Sequence, residues 1–285
     1  MAAALLFCSD PLAPRRVDGQ YAAEAELVRD AGAPVALIDH DALLAGDAAA
    51  AVRRVPAGLG PAWYRGWMIP SDAYAALVDA LDARGVELMT SPEDYRRAHE
   101  LPGWYAVFAD VTPPSVWSVG VPSDIAALVA PLPAGPGIVK DYVKSRKHEW
   151  LEACFVPDLG DRAAVEAVVG RFVERQAEFL AGGVVVRAYE DFDSGGEARV
   201  WWVDGAPVLV TPHPDTPTLR PEPKLDAVAP LVAELGCRFV TTDLARRTDG
   251  VWRVIEVGDA QVSGIAAADH FGALLPALLA AQPRR

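Results

Sequence analysis

The sequence predicts an α/β and α+β fold, with a parallel α/β domain first and smaller, more antiparallel units after it. Three observations predict it. The first hundred residues alternate short apolar runs with amphipathic helical stretches over short links, the pattern of a parallel sheet. Two proline-rich segments, Val111–Ser115 and Pro131–Pro136, bracket a middle region of different texture. The last third is rich in short apolar strands separated by turn dipeptides. These features divide the chain into residues 1–100, 101–181 and 182–285.

The first strand is the apolar run Ala4–Cys8, followed by a helix over Gly19–Asp30 that Gly32 stops. Strands follow at Pro34–Asp39, Trp63–Trp67 and Val86–Thr90, with an amphipathic helix over Asp72–Arg84 ended by Gly85. No GxGxxG follows the first strand, so the dinucleotide-binding fingerprint is absent. Ser91-Pro92-Glu93-Asp94 reads as a helix start, with Ser as N-cap, Pro first and acids in the opening turn. That helix runs towards His99.

Beyond it, Gly137–Val143 reads as a strand and Asp161–Leu180 as a helix. Val165, Val168, Val169, Phe172, Val173 and Phe179 share one face of that helix. The later strands are Val184–Tyr189, Glu197–Val203, Pro207–Val210, Phe239–Leu244 and Val251–Val257. Ser194-Gly195-Gly196, Asp204-Gly205 and Asp249-Gly250 supply hairpin turns. Helices are expected over Lys224–Leu235 and Ala266–Ala281, and no internal repeat is visible.

With 285 residues, 52% hydrophobic and 23% charged, the chain is a folded protein rather than a disordered one. A net charge of −13 argues against binding nucleic-acid backbones or anionic membranes, so neither partner is expected. Cys8, Cys154 and Cys237 are odd in number and form no CxxC motif, which suits a reducing, cytoplasmic setting. The N-terminal apolar run is too short for a signal peptide, and no run reaches the ~20 residues of a membrane span.

Chemistry is concentrated in the later strands. Pairing through the Thr248–Gly250 turn brings Asp243 and Glu256 close on one hairpin face, with Asp259 in the glycine-flanked loop beyond. Carboxylates forced together repel unless a proton or cation lies between them, and oxygen-only ligands suit Mg²⁺. The alternative is an exposed hairpin carrying incidental acids. Lys140 sits inside an apolar strand and Lys144, Arg146 and Lys147 follow it, a basic cluster whose natural partner is phosphate. The alternative there is an edge strand whose lysines reach water.

Arg187 interrupts the apolar strand VVVRAYE, while Glu197 and Arg199 share one face of the next strand. A surface ion pair explains the latter two equally. Arg65, at a strand end, could meet a substrate anion or form a buried ion pair. The five histidines show no HExxH or paired spacing, so zinc is not expected, and Trp201, Trp202 and Trp252 read as core.

In these residues the chain resembles the ATP-grasp superfamily, most strongly over about residues 110–265. The resemblance implies a parallel α/β (pre-ATP-grasp) domain followed by two α+β ATP-grasp subdomains, with ATP and Mg²⁺ as cofactors. Carried over, Lys140 in GIVKDY resembles the phosphate-holding lysine, with Lys144 beside it. VVVRAYE resembles the adenine hinge, with Arg187, Ala188, Tyr189 and Glu190 at or beside the contacting positions. Glu197 is similar to the ribose acid and Arg199 to the arginine that approaches the transferred phosphoryl group. Asp243 and Glu256 are similar to the metal-binding acids.

Two departures stand out. The family's Glu-x-Asn is here Glu256-Val-Gly258, so Asp259 is expected to supply the missing ligand, or a single Mg²⁺ is held firmly. The hinge has Arg187 and Ala188 where a Gln or Glu pair is common, so backbone groups are expected to contact adenine.

The resemblance implies a ligase that joins a small-molecule or peptide carboxylate to an amine through an acyl-phosphate, with Lys140 and Arg199 as catalytic cations. The Gln261–Ser263 loop would help shape the acceptor pocket. A kinase using the same apparatus, or a nucleotide-binding module without catalysis, stays open. The sequence is compatible with a homodimer but carries no signal for oligomeric state.

Overall fold

β1 (Ala4–Cys8) is buried at all five positions, as a central strand covered on both faces must be. A computed structural model describes residues 3–284. In it β2 (Val35–Ile38), β3 (Gly60–Arg65) and β4 (Val86–Leu88) complete a parallel sheet in the order β2-β1-β3-β4. β3 ends earlier than its apolar pattern suggests, at Arg65, where β1 also ends. There the backbone passes tightly under β1: a Cβ on Gly66 would lie 2.5 Å from Cys8 Sγ. The Ser91 hydroxyl accepts from Asp94 N to cap the helix Pro92–His99, as its sequence predicts. The short helices His40–Leu44 and Ala48–Ala51, capped by Asp39 and Asp47, carry too few turns to show a periodic signal in sequence.

The middle sheet contains β5 (Ser115–Trp117), β6 (Gly137–Asp141), β7 (Phe155–Val156) and β8 (Val184–Ala188), antiparallel in the order β5-β8-β6-β7. β8 is buried throughout and joins this sheet rather than the later strands that follow it in sequence. The helix Arg162–Gln176 buries Val165, Val168, Val169 and Phe172 against the sheet. It stops before the expected Leu180, because Ala177 takes a φ of 46° and the chain turns, leaving Phe179 78% exposed.

β9 (Phe192–Val203), β10 (Ala206–Pro212), β11 (Phe239–Arg247) and β12 (Trp252–Asp259) form an antiparallel sheet ordered β10-β9-β11-β12. Asp204 and Gly205, with φ of 47° and 80°, make the expected tight turn. Ser194-Gly195-Gly196 is not a turn: it lies within β9, where the pairing with β11 shifts register, and Gly196 takes the left-handed φ of 87°. The helix expected from Lys224 begins only at Ala229, with Pro230 in its first turn, the position where a missing N–H costs nothing. The last helix, Ala268–Ala280, packs Phe271, Leu274, Leu275 and Leu278 with Leu5, Phe7, Trp63 and Trp201, joining the first sheet and the last in one core. Trp201 and Trp202 are fully buried, as expected of core. Among the described residues no helix is long and apolar enough to cross a membrane.

Candidate functional site

The middle and last sheets meet along β12. Val254 N donates to Val111 O at 2.8 Å, and Arg187 Nη1 donates to Ile255 O at 2.6 Å. Ile138 lies opposite both Arg187 and Phe155 in the ladders, and Lys140 is two residues along β6, so all four share the face turned to this seam.

Lys140 is only 7% exposed. Burial lowers its pKa, opposed chiefly by the Glu256 carboxylate. Burial pushes Glu256 up in turn, but Lys140, Lys144, Arg199 and Arg187 bring it net below its ordinary value. Among the described residues neither Lys140 Nζ nor the Glu256 carboxylate forms a hydrogen bond or ion pair, so they act on each other through space. Lys144 stands in a turn that Asp141 anchors by accepting from Val143 N and Lys144 N, so the turn is built rather than loose. Arg146 is taken up by Glu149 and Gln176, and Lys147 by Asp215.

Arg199, Asp243 and Glu256 fall in one row across β9, β11 and β12, with Asp243 opposite both of the others. The hairpin pairing expected from sequence is present. Arg199 grips Asp243 bidentately, Nε to Oδ1 at 2.8 Å and Nη2 to Oδ2 at 2.7 Å. Glu197, two residues before Arg199, joins them: its carboxyl, Asp243 and His213 offer ligand atoms that all lie within 4.8 Å of one another. Burial, then repulsion from Asp243 and Glu256, pushes the Glu197 carboxyl up to about 8. Such mutual repulsion is what a divalent cation relieves, and a donor set of carboxylate oxygens suits Mg²⁺.

His213 escapes sequence reasoning because it is isolated there. Its position just beyond β10 and the 2.8 Å bond from its backbone N–H to Glu197 O bring it to the acids. Trp150, Phe155 and Tyr189 also go unnoticed as a group, and they form one aromatic cluster with ring centroids 5.2–6.2 Å apart.

Other expected residues lie elsewhere or are already engaged. Asp259 is not beside Glu256: it is 1% exposed and its Oδ1 accepts from Gln261 N and Nε2. Three residues along a strand from Glu256, it faces the opposite side, where Tyr74 and Tyr95 lie. The hinge N–H groups of Ala188 and Tyr189 donate to Pro114 O and Pro136 O, so they are not free to meet a base. Glu190 forks onto Arg253 at 2.9 Å. Arg187 is 6% exposed, with Nε on Ser115 Oγ and Nη2 buried without a partner. Arg65 resolves as a buried ion pair with Glu24, and its Nη1 also donates to the carbonyls of Gln261 and Ser263. Gln261 itself is fully buried.

Comparisons agree with this architecture. The chain resembles D-cycloserine synthetase DcsG at 18% identity and TM-score 0.63, covering 97% of this chain and 100% of that one. It resembles the ATP-grasp ligase PsnB, solved with a minimal precursor, Mg and ADP, at 16% identity and TM-score 0.55, covering 97% of each chain. D-alanine–D-alanine ligase from Bacillus anthracis, complexed with ATP, matches at 14% identity and TM-score 0.56, covering 98% of this chain and 95% of that one. These likenesses are of fold. No curated protein matches the chain in sequence. A family of ATP-grasp domains, the third family of its clade, matches residues 130–278, just over half of the chain, and the chain belongs to that ATP-grasp family.

Proposed function

We propose that the protein is an ATP- and Mg²⁺-dependent ligase that joins a carboxylate to an amine or similar nucleophile through an acyl-phosphate. The observation that carries this reading is the convergence of Lys140 and Glu256, both lacking partners among the described residues, beside the Arg199–Asp243 pair at the seam between two sheets. Fold neighbours solved with ATP, or with Mg and ADP, support the same reading. The three buried, unpaired cysteines suit a reducing, cytoplasmic setting.

Lys140 and Lys144 supply positive charge for the phosphates, and the face carrying Ile138 and Phe155, with Tyr189 and Trp150 at its edge, offers apolar surface for a base. Arg187 lies on that same face. Asp243 and Glu256 would hold Mg²⁺, with Glu197 adjoining them rather than standing apart on the ribose; Asp259, on the far side of the strand, is not in the set. When bound there, ATP and Mg²⁺ would supply the phosphoryl group for the substrate carboxylate and charge neutralisation on its oxygens. Arg199, fixed by Asp243, is pre-oriented with Nη1 on Gly264 O and neutralises charge that develops as the phosphoryl group moves. The amine then displaces phosphate.

The test supplies hydroxylamine as nucleophile with panels of small and peptide carboxylates, and measures ADP and hydroxamate. Equal release of both by the wild type, abolished in a folded Glu256→Gln variant, is expected. ADP with a stable phosphorylated product and no hydroxamate would make the protein a kinase. Near-normal turnover by Glu256→Gln would defeat the metal assignment.

A further inference from the structure

His99 ends the helix Pro92–His99 where the N-terminal domain reaches the seam, and it is 8% exposed. Its ring stacks on Tyr95, centroids 5.0 Å apart at 28°, and Tyr95 stacks on Tyr74 at 4.0 Å and 7°. The stack is held firmly. The Tyr95 hydroxyl donates to Ile69 O at 2.7 Å and the Tyr74 hydroxyl donates to Thr90 O at 3.0 Å. The imidazole itself makes no hydrogen bond to any described residue. A buried polar ring without a partner costs free energy, and native folds keep such groups rarely.

The charged groups that act on this ring are Glu256, Lys144 and Lys140, the same ones that line the candidate site. Burial outweighs the Glu256 carboxylate and lowers the imidazole pKa to about 4, so the ring is neutral at pH 7. So weak a base is a poor acceptor for a proton from an amine. A neutral imidazole still carries one N–H donor. Placed beside two lysines, it adds a donor without adding a third like charge.

We propose that His99 is a phosphate-binding residue contributed by the N-terminal domain, its imidazole N–H donating to a phosphate oxygen of the nucleotide held by Lys140 and Lys144. The inference rests on the nucleotide site proposed above and extends it. It makes the first domain a direct part of that site, with the Tyr74–Tyr95 stack as the positioning element.

The experiment compares wild type, His99→Phe and His99→Asn by calorimetric titration with ATP plus Mg²⁺ and with adenosine in competition. Phe keeps the stack and removes the donor, whereas Asn keeps a donor. Loss of one hydrogen bond should weaken ATP about five- to tenfold in His99→Phe and leave adenosine unchanged, with partial recovery in His99→Asn. A folded His99→Phe that binds ATP like wild type would overturn the inference. So would equal weakening of ATP and adenosine. Because His99→Phe could fail to fold, the wild type gives a second readout. In ¹⁵N-histidine-labelled protein, the imidazole resonance missing from His99→Asn should move with ATP and not with adenosine; an unmoved resonance overturns the proposal. Failure of the wild type to bind ATP at all is a different result and sinks the nucleotide site itself.

Discussion

Asp259→Asn separates a structural carboxyl from a metal ligand and has a calculable pH signature. Burial, only partly offset by the hydrogen bonds from Gln261, raises the Asp259 carboxyl from its ordinary 3.8 to about 7. Its Oδ2 is buried without a partner. Between those two values the folded state binds more protons than the unfolded one, so stability falls as pH rises from about 4 to about 7 and is flat above. At about 1.4 kcal/mol per pH unit the difference corresponds to roughly 4 kcal/mol. Asparagine keeps the acceptor for Gln261 and cannot ionise, but its NH₂ group enters a place with no acceptor, costing about 1–3 kcal/mol. The variant should therefore be less stable than wild type near pH 4.5 and more stable at pH 8. Urea unfolding followed by tryptophan fluorescence at both pH values measures the difference. A stability difference independent of pH would refute the argument, and loss of Mg-dependent ATP binding in a folded variant would restore Asp259 as a ligand.

Two other substitutions probe the frame and the chemistry. Arg65→Met leaves Glu24 buried and uncompensated, so unfolding free energy should drop by about 3–5 kcal/mol in denaturant titrations; a loss below about 1 kcal/mol would deny that Arg65 clamps the 260–263 loop. Arg199→Lys replaces a bidentate fork by a point charge, so turnover should fall at least about tenfold while ATP affinity holds. Unchanged turnover would remove Arg199 from the chemistry.

Much of this site is legible in the sequence because it rests on local pairing. The turn at Thr248–Gly250 sets the register of β11 and β12, and register alone puts Asp243 opposite Glu256. Lys140 is legible because a lysine in an apolar strand is anomalous wherever the strand goes. The position of Asp259 follows from strand parity, yet the apolar pattern ends at Val257 and leaves the next residues as a loop free to bend back. β12 in fact continues to Asp259, so alternation turns that carboxyl away. Placing β8 in the middle sheet requires knowing its distant partners β5 and β6, which no local pattern carries. His213 and His99 are single residues in sequence, and only the packing of separate elements brings them to the charged row.

The most direct measurement is calorimetric titration of ATP with Mg²⁺ into wild type and into Lys140→Ala, with folding of both checked by circular dichroism. Saturable binding to the wild type, lost in Lys140→Ala, is the predicted result. Absence of binding to folded wild type, or equal binding by Lys140→Ala, would contradict the assignment of the seam between β6, β8 and β12 as the nucleotide site.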